Sequence, residues 1–412
     1  MKKIIDMVVI TIIAFLLFGC TTKAISPKAY DENRSVSPNM ENQMEFGYGL
    51  TVDEAERAEA ERAEAEKDCK KVMTQIYDIY QNVSRGESLS EVLNDETLIE
   101  MQKSVSELGV PVSTTITYSD MENYETVDQF LLDALSGKSG SVIIYDIDTD
   151  GAVERTKYLF DGRDMYLINV RGRWKEDGTI GISDVTYTKM KHWEYTEKGW
   201  FCYELCVPEP PVISEVINGS YAVRIIPMTE ENKEMSKKCV LGLGYQGNNV
   251  LCSDWDVDHM DQLDFNGVYE YLYWMKYQKT MDIADDWKGI PAEEFENLIM
   301  EYFPITKEQV GEYAVYDGNT ETYAWERLGC FNYSPTFFST SLPEVTNVTH
   351  HADGTTTLTV DAVCDMVLCD DAVITHELKV KFEEDGSFQY LGNRILNDGI
   401  KNIPAYEYRI KS

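Results

Sequence analysis

The spacing of apolar residues changes along this chain, and the change predicts an α+β fold. In the predicted helices between residues 72 and 135, apolar side chains recur every three or four positions, as they do on one face of an amphipathic helix. After Gly137, short runs alternate apolar with polar residues, which is typical of half-buried strands. Three predicted helices carry the apolar stripes Val72, Ile76, Ile79 and Val83; Leu98, Met101, Val105 and Leu108; and Val127, Phe130, Leu131 and Leu135.

The alternating runs predict an antiparallel meander. Asp-Gly pairs at 150, 161 and 177 separate neighbouring runs, and Asp-Gly is a strong hairpin signal because both residues tolerate the positive φ of a tight turn. Prolines at 208, 210 and 211 close the meander. Its five predicted strands span 142–147, 153–160, 165–170, 180–188 and 200–207.

A second unit repeats the order of helix and then sheet. It begins at Ile290, where Pro291 suits the first turn of a helix. A strand at 221–227 and helices at 229–238 and 265–277 connect the two units. Further strands are predicted at 344–350, 355–363, 372–383 and 387–395. The predicted fold is therefore α+β, with N-terminal helices followed by an antiparallel β-meander and then a second helix-plus-antiparallel-sheet unit.

The same transitions divide the chain into segments. Residues 21–50 are polar and show no periodicity, which is typical of a disordered tether. A charged Ala-Glu-Arg-Ala-Glu repeat at 55–64 opens the first helix, whose first half we expect to be a spacer and whose second half we expect to dock on the body. The predicted segments are a signal peptide at 1–19, a disordered tether at 20–50, a charged spacer helix at 51–83, helices plus antiparallel meander at 84–211, a connecting strand and helical segment at 212–289, and a helix plus antiparallel sheet at 290–412.

The chain starts with a lipoprotein-like signal. Lys2 and Lys3 precede an apolar run at 7–18, which ends in Leu17-Phe18-Gly19-Cys20. This resembles the bacterial lipoprotein signal, in which the cysteine is diacylated on sulfur and becomes the mature N-terminus, although Phe18 is bulkier than the pattern usually carries. A transmembrane helix would need about 20 apolar residues, and Asp6 leaves the run short of that. The resemblance implies lipidation of Cys20 and a protein on the cell membrane, facing outside.

The charge of the chain excludes one class of partner. Seventy-two acidic and 37 basic residues give a net charge of −35, and losing two lysines and one aspartate with the signal makes the mature chain −36. Such a field repels nucleic acid and anionic headgroups. We therefore expect no nucleic-acid partner, and contact with the bilayer only through the N-terminal lipid.

Nine cysteines leave the disulfide pattern open. Without Cys20 there are eight, which an exported protein could pair in 105 ways. Cys239 and Cys252 flank a glycine-rich turn and are the best local candidates for a disulfide. Free buried thiols are the alternative.

No catalytic or cofactor motif is found. Asp146 to Gly151 matches the opening of a calcium loop, but Lys157 stands where the bidentate glutamate belongs, so a hairpin is favoured. An acidic cluster supplies weak metal or acid–base candidates. We favour an acidic surface loop that Trp255 anchors in the core. The members of this cluster are Asp254, Asp256, Asp258, His259 and Asp261.

Three segments of the body carry a further resemblance: YTEKGWFCY at 195–203, RIIPMTEENK at 224–233 and YQGNNVLCSDWD at 245–256. With them, the chain from about residue 120 to 395 resembles uncharacterised lipoproteins of anaerobic, clostridial-type Gram-positive bacteria. This resemblance implies a surface-exposed lipoprotein without a periplasm, and it implies no activity.

Two functions remain as hypotheses. The first is a non-enzymatic envelope lipoprotein that binds an envelope protein or a carbohydrate, for which the 26 tyrosines offer amphipathic rings. The alternative is a cell-envelope hydrolase, acting on a glycoside or a peptide, that uses the carboxylates from Asp254 to Asp258.

The lipid anchor makes the first testable prediction. Replacing Cys20→Ser removes the sulfur that carries the acyl chains, so the protein should leave the membrane fraction and lose metabolic acyl labelling while the body folds normally. Fractionation and labelling measure this. A serine variant that is still processed and membrane-bound would refute the signal.

Overall fold

Helices precede sheets in the computed structural model, as the periodicity predicts. It describes residues 52–83, 92–175, 177–183, 185–206, 219–281, 287, 289–329, 331–366 and 371–410. All of these lie in one compact unit, Met44–Ser412. The α-helices of these residues are α1 (Val52–Asn82), α2 (Asp95–Ser106), α3 (Glu125–Leu135), α4 (Glu230–Met235), α5 (Phe265–Tyr277), α6 (Ala292–Tyr302) and α7 (Lys307–Tyr313).

The first sheet is the predicted meander with one addition. Its strands are β1 (Val112–Thr114), β2 (Gly140–Ile147), β3 (Val153–Phe160), β4 (Met165–Trp174), β5 (Ile180–Ile182), β6 (Thr186–Tyr195), β7 (Trp200–Leu205) and β8 (Ser220–Arg224). They are ordered β1-β2-β3-β4-β6-β7-β8, with β5 paired to β4. Every pairing is antiparallel except that of β1, which the sequence analysis missed and which runs parallel to β2.

The Asp-Gly turns form as predicted. Gly151 and Gly162 have φ of +77° and +100°, a region that costs glycine little because it has no Cβ. Asp150 Oδ1 accepts a hydrogen bond from the Ala152 N–H at 2.9 Å, which closes the turn between β2 and β3. These turns fix the register that decides which side chains share a face of the sheet.

Helix α1 covers one face of this sheet. Its apolar stripe, including Val72 and Ile76, is buried against Tyr145, Ile147 and Val153. The Arg155 side chain is fully buried, and its Nε and Nη2 lie 3.0 and 2.8 Å from Asp68 Oδ2. Because successive strand residues point to opposite faces, the alternate positions of β2 and β3 face away from α1.

Docking of α1 begins earlier than the sequence analysis predicts. Lys157 Nζ reaches Glu61 Oε1 at 2.6 Å, inside the half expected to be a spacer, and Ala65 is fully buried. The apolar pattern alone does not reveal this contact, because charged partners on β3 hold the first half of the helix.

The second sheet system contains the remaining strands: β9 (Trp255–Asp256), β10 (Ile290–Pro291), β11 (Tyr316–Asp317), β12 (Thr322–Tyr323), β13 (Leu342–His350), β14 (Thr355–Val363), β15 (Thr375–Phe382) and β16 (Phe388–Ile395). A five-stranded sheet has the order β13-β14-β15-β16-β9, and β10, β12 and β11 form a small separate sheet. Pro291 caps α6 and does not lie in its first turn. Helices α5 and α6 pack over this core, where Phe295 stacks on Tyr323 at 4.2 Å.

Polar contacts join the two sheet systems. Lys198, after β6, pairs with Asp361 of β14 at 2.7 Å and with Asp371 at 3.0 Å. Arg224 of β8 pairs with Glu344 of β13 at 3.1 Å. These contacts bring β13 to the edge of the first sheet.

The α+β prediction is confirmed, with local differences. The predicted strand 180–188 is two strands, β5 and β6, and helix α7 was not predicted. The finer segment boundaries stay predictions, and the signal and tether lie outside the described residues.

The buried pair of Asp68 and Arg155 makes a prediction about stability. Asp68→Ala leaves a fully buried guanidinium without its carboxylate, so the free energy of unfolding should fall by about 3 kcal/mol. Urea titration measures this as a lower midpoint with an unchanged slope. Asp78→Ala is the matched control, because Asp78 is exposed on the same helix and should change the free energy by under about 0.5 kcal/mol. Equal stability of the two variants would contradict the role of the pair.

Candidate functional site

A cavity of about 620 Å³ lies on the face of the first sheet that is turned away from α1. Strands β2, β3, β4 and β6 contribute lining side chains from one face, in alternate positions. The segment 113–121, the strands β7 and β8, and Leu342 and Glu344 of β13 line the rest. The cavity is therefore built from parts of the chain more than 200 residues apart.

A row of polar side chains crosses the wall of this cavity. Asp146 lies opposite Glu154 in the β2–β3 ladder, Thr156 lies opposite Asn169 in the β3–β4 ladder, and Asn169 lies opposite Thr186 in the β4–β6 ladder. Such cross-strand neighbours have Cβ atoms about 5 Å apart. We call the following set the polar row: Asp146, Glu154, Thr156, Asn169, Thr186 and Thr188.

Hydrogen bonds hold the polar row in place. Asn169 Nδ2 donates to Glu154 Oε1 at 2.5 Å and to Thr156 Oγ1 at 2.9 Å. Ser113 Oγ of β1 donates to Asp146 Oδ1. Because each bond joins neighbouring strands, the row is positioned before any ligand enters.

Two carboxyl groups of the cavity have perturbed acidity. Burial raises the pKa of Asp146 to about 6; the Ser113 hydrogen bond opposes the rise, and the nearby Glu154 and Asp148 charges add to it. Burial likewise raises the pKa of Glu344 to about 6, against the effect of Arg224. Perturbed carboxyls in a cavity are a physical mark of a functional site.

Aromatic rings form the remaining wall. Tyr203 and Tyr221 stack with centroids 5.2 Å apart, and the Tyr158 hydroxyl lies 3.4 Å from that of Tyr203. The Arg224 guanidinium lies 5.1 Å from the centre of the Trp200 ring. The cavity thus joins a polar wall to amphipathic rings, a combination that suits small polar organic molecules.

The acidic cluster predicted from the sequence lies elsewhere, on a surface depression. Trp255 is 5% exposed and donates its indole N–H to Val250 O at 2.8 Å, so it anchors the loop as predicted. Asp254 Oδ1 accepts a hydrogen bond from the Ile395 N–H at 2.6 Å, which ties this loop to the end of β16.

The other carboxylates of the cluster are part of a surface turn. Asp256 Oδ1 accepts the Asp258 N–H at 2.9 Å and lies 2.7 Å from His259 Nδ1; these hydrogen bonds, that of His259 first, lower the pKa of Asp256. Within the described part of the chain, no group of three or more His, Cys, Asp or Glu side chains is placed to hold a metal ion, and Asp261 joins none. Hydrolysis by this cluster stays a prediction.

The cysteine candidates are separate thiols. Cys239 and Cys252 are both free and buried, so the suggested pair is not bonded in the structure. Cys252 Sγ donates to Asn248 O at 3.7 Å, and burial raises the pKa of both thiols to about 12. Each side chain packs in the core of the second sheet system as a small apolar group. Cys20 lies outside the described residues.

The family comparison covers nearly all of this architecture. Residues 62–409 match DUF6070, described as a family of unknown function. The chain belongs to the DUF6070 family. No match was found among curated proteins or among solved structures. Among the helices that the structure describes, none is long and apolar enough to cross a membrane.

Sequence reasoning missed the cavity of this DUF6070 chain. The sequence pattern places Asp146 in a hairpin that only resembles the opening of a calcium loop, and no motif includes Glu154, Asn169 or the threonines. A usable signal is present: one acidic residue in each strand, Asp146 in β2 and Glu154 in β3, stands on the strand face that also carries the buried residues Ile144 and Tyr158.

The perturbed acidity of Asp146 makes a pH-dependent prediction. Between its ordinary pKa, near 4, and the raised value of about 6, the folded state keeps a proton that the unfolded state loses, so stability falls as pH rises through this window. Asp146→Asn removes the charge and should raise the free energy of unfolding by about 1–2 kcal/mol near about pH 7.5, with no gain near about pH 4.

Urea titrations at the two pH values measure this gain. Asp78→Asn makes the same chemical change on an exposed helix position and should be neutral at both. A loss of stability at the higher pH in Asp146→Asn would show that the carboxylate is satisfied within the fold.

Proposed function

We propose that this protein is a non-enzymatic binding protein of the cell envelope. Its body takes a small polar ligand, such as a carbohydrate unit or another hydrophilic metabolite, into the cavity beside the polar row. A lipid on Cys20 holds it at the cell membrane, facing outside.

The cavity with its polar row carries the proposal. A volume of about 620 Å³ lies within the range of small-molecule sites. Polar groups that are fixed by neighbouring strands lose little freedom on binding, which favours affinity. Aromatic rings of β7 and β8 that also line the cavity add apolar contact to the ring faces of such a ligand.

The loss of stability that the cavity carboxylates cause also supports a binding function. Asp146 and Glu344 are held where their charged forms are disfavoured, so both lower the stability of the empty fold at neutral pH. Natural proteins retain such costs chiefly at functional sites.

The N-terminal sequence supports the location. The lysines, the short apolar run and the cysteine after Gly19 fit a lipid-modified signal, and the acidic body is suited to remain in solvent beside an anionic membrane. The partners proposed are therefore the bilayer, through the lipid, and an envelope-derived ligand.

A ligand screen with a blocked cavity tests the binding function. Thermal stability of the purified chain is measured against millimolar sugars, sugar acids, amino alcohols and amino acids, and hits are titrated by calorimetry. A true ligand at about one hundred times its Kd should stabilise the fold by about 2.7 kcal/mol. Thr186→Trp replaces one member of the polar row with a bulky indole and should weaken the binding of such a ligand by about tenfold or more.

Thr349→Trp is the matched control, because Thr349 is exposed on β13 and does not line the cavity. It should leave affinity unchanged. Hits that bind equally well to both tryptophan variants would place the site elsewhere, and a screen without hits would count against the binding function.

A further inference from the structure

We infer that the ligand of this cavity carries a positive charge, as a protonated amine or another small organic cation, and that the charge lies beside Asp146 and Glu154. This inference rests on the proposed binding function and narrows its ligand class.

The first observation is the placement of these two carboxylates. They are direct neighbours across the β2–β3 ladder, and both line the cavity. Like charges directly opposite on a sheet are unfavourable. A cation between them would convert this repulsion into attraction on both sides.

The second observation is that the protein supplies no such cation from its described residues. Each carboxylate receives a hydrogen bond from a neutral group, Ser113 for Asp146 and Asn169 for Glu154, and no described Lys or Arg forms an ion pair with either. The undescribed segment between β7 and β8, residues 207–218, contains no lysine or arginine in its sequence.

The other charges of the cavity are already matched. Arg224 pairs with Glu344 at 3.1 Å, and Lys233 of α4 pairs with Asp120. Asp148, next along β2, pairs with Arg171. The excess charge of the lining is therefore negative and belongs to Asp146 and Glu154.

A third, independent observation points to a polar ligand group at the same wall. Thr188 lines the cavity and is only 2% exposed, yet its hydroxyl has no hydrogen-bond partner among the described residues. A ligand donor or acceptor in the cavity would give this hydroxyl a hydrogen-bond partner. Tyr203 and Tyr221 complete the fit, since ring faces attract cations.

The competing ligand classes fit less well. An anion would meet two carboxylates, and the described lining residues offer no unpaired cation to offset them. A metal ion needs a larger set of ligands, and the described residues contain no group of three placed to hold one. A neutral polyol could bond to the row but would leave the paired charges uncompensated.

Matched probes test the charge directly. Ethanolamine is compared with ethylene glycol and glycolate, and glucosamine with glucose and glucuronate, so that each set keeps one carbon skeleton. Calorimetry should show the amine binding at least about tenfold tighter than its alcohol, with no binding of the carboxylate. Equal binding of alcohol and amine, or preference for the carboxylate, would overturn the inference.

Two variants test the place of the charge. Asp146→Asn and Glu154→Gln should each weaken the amine by about tenfold or more and change the alcohol by under about threefold. Asp78→Asn and Glu100→Gln, matched changes at exposed helix positions, should alter neither. Amine binding that survives both cavity variants would overturn the inference.

The pH dependence of amine affinity distinguishes a direct contact with Asp146 from a purely structural role of that residue. Ethanolamine stays protonated between about pH 7.5 and 5. Asp146 gains its proton near pH 6; besides burial, the groups that set its pKa are Ser113, Glu154 and Asp148. Amine affinity should therefore fall across this range and stay flat in Asp146→Asn.

The outcomes separate the two proposals. If alcohols bind as tightly as amines and Thr186→Trp blocks them, the binding function is supported and the preference for a cation is overturned. Calcium or magnesium binding that is lost in Asp146→Asn would replace the organic cation with a metal. A complete lack of cavity-dependent binding would overturn both.

Discussion

Alternation of side chains across the first sheet is the constraint on which both the core and the cavity depend. On one face, Arg155 and its neighbours meet α1, and the pair with Asp68 fixes the helix against β3. The opposite face then receives Glu154 and Thr156, because consecutive residues cannot share a face. A register shift of one residue would bury the carboxylates under α1 and turn the apolar strand residues Ile147 and Val153 away from the helix. The turn after Asp150 therefore sets the site as well as the hairpin.

The cavity is a local departure from the rules that stabilise the rest of the body. Elsewhere, for example, the buried carboxylate of Asp361 is paired with Lys198. In the polar row, Asp146 and Glu154 accept hydrogen bonds from separate neutral donors, and the charge of each disfavours the charge of the other. Buried carboxylates without a cationic partner lower the stability of the fold, and such an arrangement is expected at a site where a bound ligand supplies the missing interaction.

Local sequence patterns predict the helices and hairpins but do not predict the cavity, and the reason is physical. The stripe from Val72 to Val83 and the Asp-Gly turns depend on neighbouring residues, so helix α1 and the hairpins followed from the sequence. The docking of Glu61 and the parallel β1 depend on partners distant in sequence, on which periodicity carries no information. The cluster at Asp254 is recognisable in the sequence because its acids lie within eight residues of one another. The carboxylates that meet in the cavity are eight residues apart and face one another only through the β2–β3 register.

The closure of the cavity requires both sheet systems. Glu344 of β13 reaches Arg224 of β8, and the Tyr118 hydroxyl donates to Pro343 O, so the second system supplies part of the wall. The family match runs from residue 62, in α1, to residue 409, past the last strand, and thus includes every element that lines the cavity. A family defined over the first meander alone would contain the polar row without the residues of β13 that complete the cavity wall. A cavity shared between the two sheet systems requires both to be present in one family unit, and the matched range includes both.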